Sequence, residues 1–305
     1  QVPDTRNVGK DAMKADGTIN RAALPAIFNP EDLNALEQAL RLKDAHPGST
    51  VTILTMGPGR AADIIREGLY RGADNGYLLT DRAFAGADTL ATSYALATAI
   101  RKIKDFDVII DFSNAMCVPT ILNYAVTVKK PFICCTTGLS DETVSEILKS
   151  AEKIAVFKSA NMSLGVNVMI ELIKQAARTL YPDFDIEILE AHHNRKVDAP
   201  SGTAMMLATA IQQEVPDQME YVYDRHSRNE ARSKNEIGIS SIRGGNIAGE
   251  HSVFFISDEE TITISHSAKS RDVFAMGALK AAGFMAGKTT GYFTMSDVIS
   301  ESVSK

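Results

Sequence analysis

Along the first half of the chain, short continuous apolar runs alternate with segments whose apolar positions recur at helical spacing. Leu33, Leu36, Ala39 and Leu40 follow Asn29 and Pro30, a capping residue and a first-turn proline, which predicts a helix over about 29–44 ended by Pro47 and Gly48. VTILTM at 51–56 has strand length, GPGR turns, and 61–70 resumes helical periodicity. The same grammar continues through YLLT (77–80), a helix at about 90–102, DVIID (107–111), a helix near 119–127, PFICC (131–135) and IAVF (154–157). Strands alternating with helices predict a Rossmann-like, doubly wound parallel sheet, an α/β fold. Beyond a long helix through 167–180 the pattern turns to strands: DIEILE (185–190), EYVY (220–223), IGISSIR (237–243), HSVFFI (251–256) and TITIS (261–265), with helices at about 202–214 and 272–287. The predicted organisation is a nucleotide-binding domain over 1–162, an α+β domain with a largely antiparallel sheet over 163–271, and a C-terminal helical segment, 272–305, returning to the first. A broad sheet face of that kind suits oligomerisation.

Composition narrows the function. The 305 residues are 45% hydrophobic and 23% charged with a formal charge of −6, ordinary globular usage without the basic footprint that nucleic acid requires. Uncharged stretches such as 89–100 fall short of the ~20 apolar residues of a membrane span. Three cysteines, Cys117, Cys134 and Cys135, offer no disulfide framework and fit a reducing cytoplasm. The opening QVPDTRNVGKDAMKADG has neither the basic start nor the apolar run of a secretory leader, and it lacks an initiating Met, which points to residues ahead of Gln1.

The densest polar cluster is ILEAHHNRKVDAPSGTA, residues 188–204. In a strand, Glu190 and His192 share one face and His193 takes the other, so both histidines serve one ligand only where the strand ends. Asp198, Pro200 and Ser201 start a helix whose first turn holds Gly202 and Thr203. Its free N–H groups and positive dipole end, with Lys196 just before it, make a site for the carboxylates of a small acidic substrate, and the histidines supply a group that titrates near neutral pH. A purely structural strand end is the alternative. Zinc is disfavoured, because no Cys lies nearby and His46, His226, His251 and His266 show no HxxxH or HExxH spacing. GPGR at 57–60 follows a strand and opens a helix, as a phosphate turn must, but GxGxxG is incomplete and a tight structural turn explains Gly57 and Gly59 equally well.

The run EAHHNRKVDAPSGTA resembles the signature of the dihydrodipicolinate reductase family, as do DFSNA (111–115), TTG (136–138), SANMSLGVNV (159–168), RGGNIAGEH (243–251) and SHSAKSRDVFAMGAL (265–279), together covering about 107–305. The resemblance implies an NADPH- or NADH-dependent reductase of a cyclic dicarboxylated imine in the diaminopimelate route to lysine, a cytoplasmic homotetramer. It implies proton donation by His192 or His193, and a dicarboxylate held by Lys196, Ser201, Gly202 and Thr203 with Thr137. It further implies dinucleotide contacts from Phe112, Ser113, Cys135, Thr136, Asn161, Met162 and Arg271. Cys135 stands where that family commonly has Gly, which would crowd the nicotinamide half. The family's opening strand and glycine-rich turn are absent before Asp107. There, QVPDTRNVGKD, AIFNPEDLNALEQALRLKD (26–44), VTILTMGPGRAADIIREGLYRGAD (51–74) and LLTDRAFAGADTLATSYALA (78–97) resemble the beta subunit of electron-transfer flavoprotein, over about 1–106. That resemblance implies an adenine nucleotide or flavin (AMP or FAD) near DRAFAGADT. The chain therefore reads as a chimera of two parallel-sheet halves, and its alternatives to the reductase are an electron carrier and an inactive chimera.

Overall fold

The computed structural model describes residues 2–3, 26–84, 87, 89–103 and 106–303. Most of QVPDTRNVGKD, and Ala85, Gly86 and Asp88 of the DRAFAGADT loop, lie outside the described residues. The chain forms two compact units: 1–157 with 285–292, and 158–284 with 293–305.

In the first unit, β1 (Val2–Pro3) pairs antiparallel with β2 (Ala26–Ile27), and α1 (Pro30–Ala45) follows. β3 (Thr52–Met56) and β4 (Asn75–Leu79) pair in parallel around α2 (Ala62–Tyr70), as strand–helix–strand connectivity requires. Phe28, Leu36, Val51 and Ile64 form the core there. After α3 (Thr89–Ile103), β5 (Ile109–Asp111), α4 (Val118–Val128), β6 (Phe132–Cys134), α5 (Asp141–Ser150) and β7 (Ala155–Lys158) continue the alternation over a second core of Val118, Leu122, Phe132, Ile147 and Val156. These strands fall into two sheets, the parallel pair β3–β4 and a four-stranded sheet of order β13-β7-β6-β5, in which β5 and β6 run parallel and β13 (Gly291–Phe293) enters from the C-terminal end of the chain. Strand order depends on long-range pairing that local periodicity does not encode.

The second unit carries a five-stranded sheet. Its strands are β8 (Asp185–His192), β9 (Glu220–Val222), β10 (Glu236–Arg243), β11 (Gly249–Ile256) and β12 (Thr261–Ala268), in the order β12-β11-β8-β10-β9. The sheet is mixed rather than largely antiparallel. β11 runs antiparallel to both neighbours, whereas β10 runs parallel to β8 and β9, the chain being carried back by α7 (Gly202–Gln212) between β8 and β9 and by residues 223–235 between β9 and β10. α6 (Leu164–Leu180) and α7 cover one face, burying Ile173, Leu207 and Ile211 against Ile186, Ile188, Ile237, Val253 and Phe255. α8 (Asp272–Met285) and α9 (Met295–Val303) complete the unit, with Ser296 of α9 donating to Glu171 of α6. No helix of the described residues is long and apolar enough to cross a membrane.

Candidate active site

The period-two alternation of β8 sets up the site. Ile186 and Ile188 face the core, and the same alternation carries Glu190 inward at the strand's end, where it is fully buried. A buried carboxylate must be paired. Arg243, the last residue of β10, donates to both oxygens at 2.7 and 2.8 Å, the Ser201 N–H donates at 3.1 Å, and Nδ1 of His192 lies 2.6 Å away. Burial raises the Glu190 carboxyl, but hydrogen bonds from Arg243, Ser241 and His192 outweigh it and bring it down to about 2. The group is an anion at every physiological pH.

His192 ends β8, and His193 lies just beyond it. The chain there is stitched to the β10–β11 turn: Gly244 N–H donates to His192 O, His193 N–H to Ile247 O and Asn194 N–H to Gly245 O. His193 sits in a cationic surrounding, and burial, then the charges of Arg195, Arg271, His192 and Lys196, lowers its pKa. Its buried Nδ1 has no hydrogen-bond partner among the described residues. Lys196 is held 2.8 Å from the Asp198 carboxylate, and Arg195 donates to Asn246.

Helix α7 begins as its residues predict. Ser201 is the N-cap, and its hydroxyl accepts the Ala204 N–H at 3.1 Å. The N–H groups of Gly202 and Thr203 take no hydrogen bond within the described residues, and a Cβ added at Gly202 would meet nothing within 4 Å, so this helix end is open. Asn161 donates to the Thr203 hydroxyl at 3.1 Å, while its own side-chain oxygen caps Ser163. Met162 is buried, and its carbonyl is so close to α8 that a Cβ on Gly277 would lie 1.6 Å from it. Thus His192, His193, Lys196, Ser201, Gly202, Thr203 and Asn161 lie around one strand end and one helix start. Local sequence pattern marks neither Arg243 nor His251 as a site residue, although both stand in RGGNIAGEH. His251, on β11, is buried, lies 2.9 Å from the Ser201 hydroxyl, and packs edge-on to His192 at 5.2 Å between centroids.

In the first unit, the carboxyl ends of β5 and β6 lie side by side. Asp111 ties the two following loops together, accepting from the Ser113 N–H at 3.0 Å and the Thr136 hydroxyl at 2.9 Å, while its carbonyl takes the Cys135 N–H at 2.8 Å. Phe112 is half exposed, Thr137 is exposed, and Cys135 is buried, its thiol pushed up by burial and by Cys134 and Asp111. The carboxyl ends of parallel strands are where open α/β sheets bind nucleotides, and an exposed aromatic beside hydroxyls suits a planar ring. The pyrophosphate end fits less well. In GPGR, Pro58 has no N–H, and the N–H groups of Gly57 and Ala61 are spent on Leu79 O and Pro58 O.

The open N-terminus of α7 beside Lys196 can take a small anion, and the paired strand ends of the first unit are of the kind that hold a nucleotide. The chain matches the family description "Dihydrodipicolinate reductase, C-terminus" over 165–299 and "Dihydrodipicolinate reductase, N-terminus" over 73–162, and it belongs to that family. It is 49% identical over 218 residues to the 4-hydroxy-tetrahydrodipicolinate reductase of Caldanaerobacter subterraneus subsp. tengcongensis, covering 70% of this chain and 86% of the relative. The enzyme of the same name from Clostridium tetani is 47% identical over 69% of this chain and 84% of its own length. A solved structure, dipicolinate-bound dihydrodipicolinate reductase from Paenisporosarcina sp. TG-14, superposes with a TM-score of 0.57 at 22% identity, over 80% of this chain and 98% of that one, a likeness of fold. Residues 16–115 match an electron transfer flavoprotein domain, so the two matches overlap over 73–115.

Proposed function

We propose that this chain reduces 4-hydroxy-tetrahydrodipicolinate to tetrahydrodipicolinate with a nicotinamide cofactor, NADPH or NADH. The observation that carries this reading is the convergence of Lys196, the open N-terminus of α7 and the two histidines at the end of β8. In the reaction the substrate loses water and gains one hydride and one proton. The reduced nicotinamide, when bound, supplies the hydride. Lys196 and the Gly202 and Thr203 N–H groups neutralise the substrate carboxylates, a preorganised electrostatic contribution. His192 donates the proton and His193 contacts the substrate, with Thr137 as a further carboxylate contact. Phe112, Ser113, Cys135, Thr136, Asn161, Met162 and Arg271 hold the nicotinamide side of the cofactor. In this reading residues 1–162 bind nucleotide, residues 163–271 bind substrate and support a homotetramer, and the protein works in the cytoplasm.

The test is oxidation of NADPH or NADH by the purified chain, supplied with the condensation product of pyruvate and aspartate semialdehyde. Substrate-dependent loss of absorbance at 340 nm supports the reductase. The flavoprotein-domain match over 16–115 favours a second reading, an electron carrier holding FAD or AMP. Bound flavin absorbing near 450 nm, without reductase turnover, would favour that reading instead.

A further inference from the structure

Glu190 has no part in the chemistry above, yet it is fully buried and hydrogen-bonds to both His192 and the first residue before α7, Ser201. An ionised carboxylate only accepts, so its 2.6 Å contact with His192 requires the ring's hydrogen to sit on Nδ1. Arg243 grips both oxygens and keeps the carboxylate from rotating. Two other groups lie against the ring. His251 packs against it edge-on, and Gly249 approaches Nε2 so closely that an added Cβ would lie 3.1 Å from that nitrogen.

From this arrangement we infer that Glu190, anchored by Arg243, is a positioning residue for proton transfer: it holds His192 as the Nδ1–H form and reserves Nε2 for the substrate, with Gly249 keeping that nitrogen uncovered. The inference rests on the reading of His192 as proton donor. In the transfer, Nε2 of the Nδ1–H ring has first taken a proton from solvent to give the imidazolium; that Nε2–H bond then breaks and the substrate takes the proton. The ring is left neutral with its hydrogen still on Nδ1, and Glu190 neither gains nor loses a proton. A carboxylate that fixes an imidazole's tautomer in this way acts through geometry and charge alone.

Nitrogen-15 NMR of the wild-type protein tests the tautomer directly: the neutral His192 ring should carry its hydrogen on Nδ1, and a hydrogen on Nε2 alone would overturn the inference. Glu190→Gln should lower kcat by roughly 10²–10⁴-fold while KM and dipicolinate affinity stay within about threefold. Because that variant strips Arg243 of its counter-charge, Gly249→Ala serves as a second variant with the ion pair intact, and its kcat should fall by about tenfold or more at unchanged dipicolinate affinity. Wild-type kcat in either folded variant would contradict the inference. His192→Gln separates the two claims. Full turnover in His192→Gln sinks the donor assignment, whereas impaired His192→Gln beside unimpaired Glu190→Gln sinks the positioning role alone.

Discussion

The Ser201 hydroxyl lies 2.9 Å from Nε2 of His251, 50 residues further along the chain, while accepting the Ala204 N–H. One hydroxyl thus caps α7 and partners Nε2 of a buried imidazole on β11, whose Nδ1 has no hydrogen-bond partner among the described residues. Ser201→Ala removes a cap worth about 1 kcal/mol and strands a buried ring nitrogen at a further cost of roughly 1–3 kcal/mol. A urea-denaturation midpoint equal to wild type would show that neither contact contributes.

Acid stability follows from the same ring. Burial, with the His192 charge adding to it, pushes His251 down from 6.5 to about 4. A base whose folded pKa is depressed favours folding in its neutral form, so its contribution is complete above pH 6.5 and is lost as pH falls through 4. Glu190, brought from 4.5 to about 2, extends the loss to lower pH with the same sign. Wild type should therefore lose roughly 2–4 kcal/mol more than His251→Gln between pH 7 and pH 4. Parallel stability profiles for the two proteins would refute the assignment.

Much of this site was legible in the residues themselves. The alternation Ile186, Ile188, Glu190 along β8, and the Ser201 cap before Gly202, mark a strand and a helix whose ends the structure reproduces closely. The partners of Glu190 were not legible, because Arg243 and His251 arrive through the pairing of β8 with β10 and β11, a long-range choice. The same limit explains the division of the parallel strands into two sheets. Helix α5 gives a weak sequence signal because its apolar positions, Val144, Ile147 and Leu148, are few among charged neighbours, although Ser140 caps it.

Lys196 is preorganised rather than free, since Asp198 already holds it. A dicarboxylate must compete with that contact and still gain from the charge. Lys196→Ala should weaken dipicolinate binding by roughly 2–3 kcal/mol, the scale of a lost charge-assisted hydrogen bond. Unchanged affinity by calorimetry would remove Lys196 from the substrate site.

Cofactor affinity should reflect the poor pyrophosphate turn. With Pro58 lacking an N–H and the Gly57 and Ala61 donors already used, NADPH and NADH should bind more weakly than about 1 μM, the −8 kcal/mol mark. Fluorescence titration decides this, and sub-micromolar affinity for either nucleotide would mean that the first unit cradles the phosphates by other donors.

The most direct test of the proposed chemistry is turnover of His192→Gln and His193→Gln beside wild type, with dipicolinate affinity measured on the same preparations. Loss of a general acid costs roughly 10²–10⁴-fold. His192→Gln should show that loss in kcat with dipicolinate affinity nearly unchanged, and His193→Gln should show weaker dipicolinate binding with a smaller loss of kcat. Wild-type turnover in His192→Gln would contradict the account, because the acid would then lie outside the strand end on which the site is built.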